Sequence, residues 1–154
     1  MRHALLAVCA LLSCTPRPTP SLHVTGDQFR MLRWLEGRWT GTGEDGAMFG
    51  EAYAVLDDST MRSYTYTKPT DIAPSDSGAI RLRRGVVTSG DGEWRWTLTA
   101  VSADSAMFAP QGRAENGFTW RRTSDSTWTA TLWRGSPNDS RPRRYSLVRA
   151  AKVP

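Results

Sequence analysis

Glu51, Glu93 and Glu115 fall on three separate strand-like stretches of this 154-residue chain. Carboxyls brought together from different strands can serve as a general acid and base. Spacing alone does not bring these three together, so their convergence stays open. The aspartates read otherwise. Asp57, Asp58, Asp91, Asp125 and Asp139 all stand in turn-like stretches, where Asp caps its own backbone. Asp91-Gly92 and Asn138-Asp139 lack the spacing of a calcium loop. Histidine chemistry is nearly closed off, because only His3 and His23 occur. A Ser-His-Asp triad, a His-rich zinc site and a proximal-His haem pocket each need a well-placed imidazole. His3 belongs to the basic start of the chain, and His23 ends the Pro-rich stretch Thr15-Pro16-Arg17-Pro18-Thr19-Pro20-Ser21-Leu22, which reads as an extended tether. No catalytic residue, metal ligand or cofactor is assigned.

Seven tryptophans supply the other chemistry, either as platforms for an apolar ligand or as plain core. Their phase along the chain is regular. Trp94, Trp96, Leu98 and Ala100 share one face against Arg95, Thr97 and Thr99. Phe118 and Trp120 oppose Thr119 and Arg121, and Trp128, Ala130 and Leu132 oppose Thr127, Thr129 and Thr131. Alternation of this kind marks strands with one buried and one wet face. If the interior is open, its wall is expected to be Tyr64, Tyr66, Trp94, Trp96, Phe118, Trp120 and Trp128. Trp133 falls in the opposite phase and is expected at an exposed rim. Arg81, Arg83, Arg84, Arg121, Arg122, Arg141, Arg143 and Arg144 give a basic surface, read as the solvated face of strands or as a contact for anionic envelope polymers.

One short helix, about 26–36, is expected to precede the sheet. Thr25 and Gln28 have capping-box spacing, Phe29, Leu32, Trp34 and Leu35 keep helical period, and Gly37 supplies the stop. Strands are expected at 38–43, 48–55, 59–67, 78–88, 93–101, 105–109, 116–123, 126–134 and 143–150, with Gly-, Asp- and Ser-rich turns between them. The fold class is all-β, an antiparallel up-and-down barrel of about eight to ten strands with one short N-terminal helix.

Trp34-Leu35-Glu36-Gly37-Arg38-Trp39-Thr40-Gly41 resembles the opening of calycin-type barrels, in particular of small bacterial lipocalin-like domains of unknown function. Met61-Arg62-Ser63-Tyr64-Thr65-Tyr66 and Gly112-Arg113-Ala114-Glu115-Asn116 carry the rest of the likeness, over roughly residues 28–150. The resemblance implies that Gly37, Trp39 and Arg149 close the barrel base, with Trp39 packed against the arginine of the last strand. The lipocalin Thr-Asp-Tyr signature is absent, as is the histidine with which a nitrobindin-like barrel holds haem.

The start of the chain bears on compartment. Met1-Arg2-His3 is a basic n-region and Ala4 to Leu12 an apolar run of nine residues, where a membrane span needs roughly 20. Leu11-Leu12-Ser13-Cys14 then resembles the lipobox of bacterial lipoproteins, which implies cleavage before Cys14 and lipidation of its sulfur. Thr15 follows, and the resemblance then implies the periplasm-facing outer membrane in a Gram-negative cell. Cleavage would remove Arg2 from the 20 Lys and Arg, taking the formal charge from +5 to +4. It would also remove Cys9, and with Cys14 acylated no disulfide or thiolate site is left.

The expected organisation is a signal peptide over 1–13, a lipid-anchored tether over 14–25 and a lipocalin-like barrel over 26–154. The expected partners are a membrane through acylated Cys14, a small hydrophobic ligand and an anionic envelope surface, with nucleic acid excluded by secretion. Three functions are carried forward. The first is a binder of a small apolar or amphipathic ligand in the barrel lumen. The second is a structural lipoprotein with a solid core and a basic arginine face. The third is a hydrolase or isomerase using luminal Glu and Tyr.

Overall fold

The computed structural model describes residues 22–150. The basic start, the apolar run, Cys14, most of the Pro-rich stretch and Lys152 lie outside the described residues. A helical turn α1 (Gly26–Arg30) runs into a 3-10 turn (Met31–Leu35). Ten strands follow: β1 (Gly37–Gly43), β2 (Met48–Asp57), β3 (Thr60–Tyr66), β4 (Asp76–Arg83), β5 (Val86–Asp91), β6 (Trp94–Val101), β7 (Ser105–Gly112), β8 (Asn116–Arg122), β9 (Thr127–Arg134) and β10 (Arg143–Arg149). Each pairs antiparallel with its neighbours in sequence. β10 then returns to β1, Trp39 facing Arg149 and Gly41 facing Leu147, so that the sheet closes into a barrel without an edge.

The helix forms where its cap chemistry places it. Thr25 Oγ1 accepts from the Gln28 backbone N–H, and Gln28 Oε1 accepts from the Thr25 N–H at 2.9 Å. Its apolar side, with Phe29, Leu32 and Leu35 buried, covers one end of the barrel. The chain joins that end earlier than position 26. Val24 is buried, and its N–H bonds to Gly85 O at 2.7 Å, with His23 lying over Gly85.

Two departures from the sequence pattern have physical causes. The expected single strand over 78–88 is a hairpin, β4 and β5, joined at Arg84 and Gly85, both at positive φ (51° and 78°). Positive φ at both central positions is the geometry of a type I′ turn, which usually shows itself as Asn-Gly or Asp-Gly. Arg-Gly conceals it. In β6 the register slips between Leu98 and Ala100, and a bulge there reverses the alternation. Ala100 consequently faces solvent, and Val101 packs against the core in its place.

Register sorts the remaining side chains. Trp39, Glu51 and Thr65 are partners across β1, β2 and β3 and share the inner face with Gly41, Phe49 and Tyr53. Trp133 is buried rather than exposed at a rim, because its indole lies flat across Gly117 of β8 on the outer face. The arginines do not gather on one face. Arg81, Arg121 and Arg143 lie on strands β4, β8 and β10, spaced around the barrel, and Arg81 and Arg122 are paired with Asp91 and Asp125.

Candidate functional site

The interior is solid at the end under the helix and hollow at the other. At the closed end the Trp39 indole N–H donates to Leu35 O at 2.6 Å, and the Arg149 guanidinium lies 4.2 Å from the Trp39 ring centre. Arg149 also donates to Glu36 O at 3.0 Å and Asp125 O at 3.2 Å, tying the last strand to the helix and to the β8–β9 turn. Above this clasp the aromatic rings form a continuous column. Trp39 meets Trp128 edge-on at 6.0 Å, Trp128 meets Trp120 at 5.9 Å, Trp120 meets Phe118 at 4.9 Å, and Phe118 meets Trp96 at 5.7 Å. Edge-to-face and offset contacts at such distances suit the ring quadrupoles.

The column ends at a cavity of about 520 Å³, open between the strand ends that carry the β1–β2, β3–β4 and β9–β10 turns. Its wall is Trp96, Phe118 and Trp120 on one side, Phe49, Tyr145 and Leu132 on another, with Glu51, Thr65, Thr67, Ser75 and Asn116 as the polar members. The rings are held in place. Trp96 Nε1 donates to Asn116 O at 2.6 Å, and Phe49 lies over Gly41, where any Cβ would collide with its ring. Phe49 and Tyr145 pack edge-on at 5.7 Å.

Among the described residues, Glu51 is the one carboxylate on this wall. What exposure it has is to the cavity, and withdrawal from water raises its pKa from 4.5 to about 7, opposed in part by a hydrogen bond from Tyr53. Tyr53 donates to Glu51 Oε2 at 2.7 Å, while its ring packs against Trp120 and Trp128. Burial pushes the Tyr53 hydroxyl well above its usual 10, and the neighbouring carboxylate adds to the effect.

Of the seven side chains expected on the wall, Trp96, Phe118 and Trp120 line the cavity. Trp128 lies beneath it in the solid core, 1% exposed. Trp94 is 57% exposed at the hairpin end of β6, beyond the ring of wall residues. Tyr64 and Tyr66 stand in the outward phase of β3, since Thr65 is the partner of inward Glu51. Tyr66 borders the mouth, but its ring is held outside under the Arg38 guanidinium, 4.0 Å away, with Arg38 donating to Pro69 O.

The three glutamates do not converge. Glu93 pairs with Arg113 at 3.0 Å and Glu115 lies 4.0 Å from Arg134, both on the exposed surface. The turn aspartates act locally. Asp57 accepts from the Ser59 N–H and hydroxyl, and Asp139 from the Arg134 and Arg141 N–H groups; these bonds hold both carboxyls below the usual range. No cluster of metal-ligating side chains occurs among the described residues. The signal for the missed wall residues was present in the alternation Phe49-x-Glu51-x-Tyr53-x-Val55, an acid in the apolar phase of its strand.

No family model and no curated protein matches the chain. Among solved structures it is similar to a redesigned β-barrel at 15% identity, with a TM-score of 0.40 over 79% of this chain and 96% of that one. It is also similar to EF1p2_mFAP2b bound to DFHBI, at 15% identity and a TM-score of 0.35 over 80% of this chain and 99% of that one.

Proposed function

We propose that this barrel is a binding protein for a small, largely apolar molecule with one polar group, and that Cys14 tethers it to a bacterial envelope membrane. The cavity of about 520 Å³ carries the first half of this reading. It falls in the size range of small-molecule sites, is walled mainly by aromatic and aliphatic side chains, and has a few convergent polar groups that would fix orientation. A solid-cored structural barrel would have no use for such a space. The second half rests on the lipobox-like Leu11-Leu12-Ser13-Cys14, and no helix of the described residues is long and apolar enough to cross a membrane.

Titration of the purified protein with uncharged and charged alkyl probes, followed by tryptophan fluorescence, tests the binding reading. Trp96 and Trp120 would touch a bound probe directly. Saturable binding at micromolar affinity, about 8 kcal/mol, is expected. Absence of saturable binding across a broad lipid and metabolite panel would overturn it.

One observation favours a second reading. A luminal carboxyl that titrates near 7 and is hydrogen-bonded to a tyrosine is suited to general acid–base work, as a hydrolase or isomerase would need. Chemical conversion of a bound molecule that is lost in Glu51→Gln would support it.

A further inference from the structure

Every charged group on the cavity wall is accounted for by one residue. Glu51 faces the hollow interior, and among the described residues no arginine or lysine lines the cavity with it. Tyr53 occupies Oε2, and Oε1 accepts no hydrogen bond among the described residues. An anionic head group such as a carboxylate would therefore meet like charge with no cation to neutralise it. An ammonium would find the reverse: a free carboxylate oxygen, Thr65 beside it in register, and the aromatic side chains of Trp96, Phe118 and Trp120 lining the same cavity. Aromatic faces attract cations, most strongly where water is excluded.

We infer that the ligand is an apolar amine, bound as the ammonium against Glu51 Oε1 with its hydrocarbon part along the aromatic wall. This rests on the cavity being a binding site, and it narrows the class of molecule that site takes. It predicts a dependence on pH. Glu51 must be ionised to pair; Tyr53 is bonded to it from the packed column, and among the described residues Tyr145 is the other ionisable side chain facing the cavity. At the rim, Arg143 follows the inward phase of β10 opposite Leu132 and borders Asn116, without lining the cavity, while Arg144, Glu44 and Asp45 lie beside Tyr145. Affinity should rise from pH 6 to pH 8 as Glu51 loses its proton, and binding near pH 7 should release roughly half a proton per amine bound.

The test uses one chain length with three heads: decylamine, decanol and decanoate, titrated into the purified protein at pH 6 and pH 8. Decylamine should bind at least about tenfold more tightly than decanol at pH 8, with decanoate weakest. In Glu51→Gln the preference for the amine over decanol should collapse while decanol binding persists, which also reports that the variant is folded. Equal binding of decanol and decylamine, or tight decanoate binding, would overturn the amine inference and leave the cavity reading standing. Failure of all three to bind wild-type protein would overturn both.

Discussion

Tyr53 donates to Glu51 across 2.7 Å from two positions along the same inward face of β2. The pair spans the boundary between the two halves of the interior. The tyrosine ring belongs to the packed column with Trp120 and Trp128, and the carboxyl belongs to the cavity. A buried carboxyl is costly when ionised, and this hydrogen bond offsets only part of that cost.

Stability should therefore depend on pH through Glu51. Its folded pKa, about 7, lies above the unfolded value near 4.5. The contribution is fully present below pH 4.5 and is lost as pH rises through 7, because over that window the folded state keeps a proton that the unfolded chain gives up. The full effect is roughly 3 kcal/mol. Glu51→Gln does not titrate, so its stability relative to wild type should climb by about that amount between pH 4 and pH 8 in urea denaturation. Parallel pH profiles for the two proteins would refute it.

Tyr53→Phe removes the one hydrogen bond that lowers the Glu51 pKa. The carboxyl should then titrate above 7, moving the pH midpoint of Glu51-dependent effects upward. Loss of the buried hydroxyl should also cost about 1–2 kcal/mol. The midpoint can be read from the pH dependence of decylamine binding, where an unchanged or lower value would count against the hydrogen bond's role.

At the closed end, Arg149→Ala should lose the stacking on Trp39 together with the bonds to Glu36 O and Asp125 O. About 2 kcal/mol is expected from such a loss. Trp39→Ala should cost about 3–5 kcal/mol, a large part of the 5–15 kcal/mol typical of a domain. Chemical denaturation measures both, and an Arg149→Ala protein as stable as wild type would show the clasp to be incidental.

Affinity for an alkyl probe should fall on Trp96→Ala and hardly change on Thr97→Ala, since Trp96 lines the cavity and Thr97 takes the opposite phase of β6. Equal effects of the two substitutions would place the probe elsewhere.

Cys14→Ser should release the protein from the membrane fraction if acylation at Cys14 is its anchor, as a diacyl group holds a chain stably where one acyl chain does not. Retention of the variant on membranes through a high-salt wash would refute the anchor.

The barrel was legible in the sequence because alternation and turn residues recur along most of its length. The β4–β5 hairpin was hidden by Arg84, a residue seldom found at positive φ. The cavity wall was legible only in β6 and β8, where aromatic residues mark the inner phase. In β3 the tyrosines suggested the wrong phase, because Tyr66 is buried on the outside by Arg38 and the 67–75 loop, while the inner positions are Ser63 and Thr65. Composition says what is apolar, and only register says which side it covers. Glu51 was marked by its place in the apolar phase Phe49-x-Glu51-x-Tyr53, whereas Glu93 and Glu115 stand just before β6 and β8, outside any strand.

The join between β1 and β10 sets how this chain must fold. Arg149 meets the Glu36 carbonyl across 113 residues, whereas every other strand pairs with a sequence neighbour. The hairpins can form early from local contacts, but the seam closes only after the whole sheet has curled, at the expense of a long loop's entropy. Until it closes, β1 and β10 are two unpaired edges, open to pairing with another chain. Substitutions at Trp39 or Arg149 that slow the seam would then act first on aggregation during refolding, and only afterwards on the stability of the finished barrel.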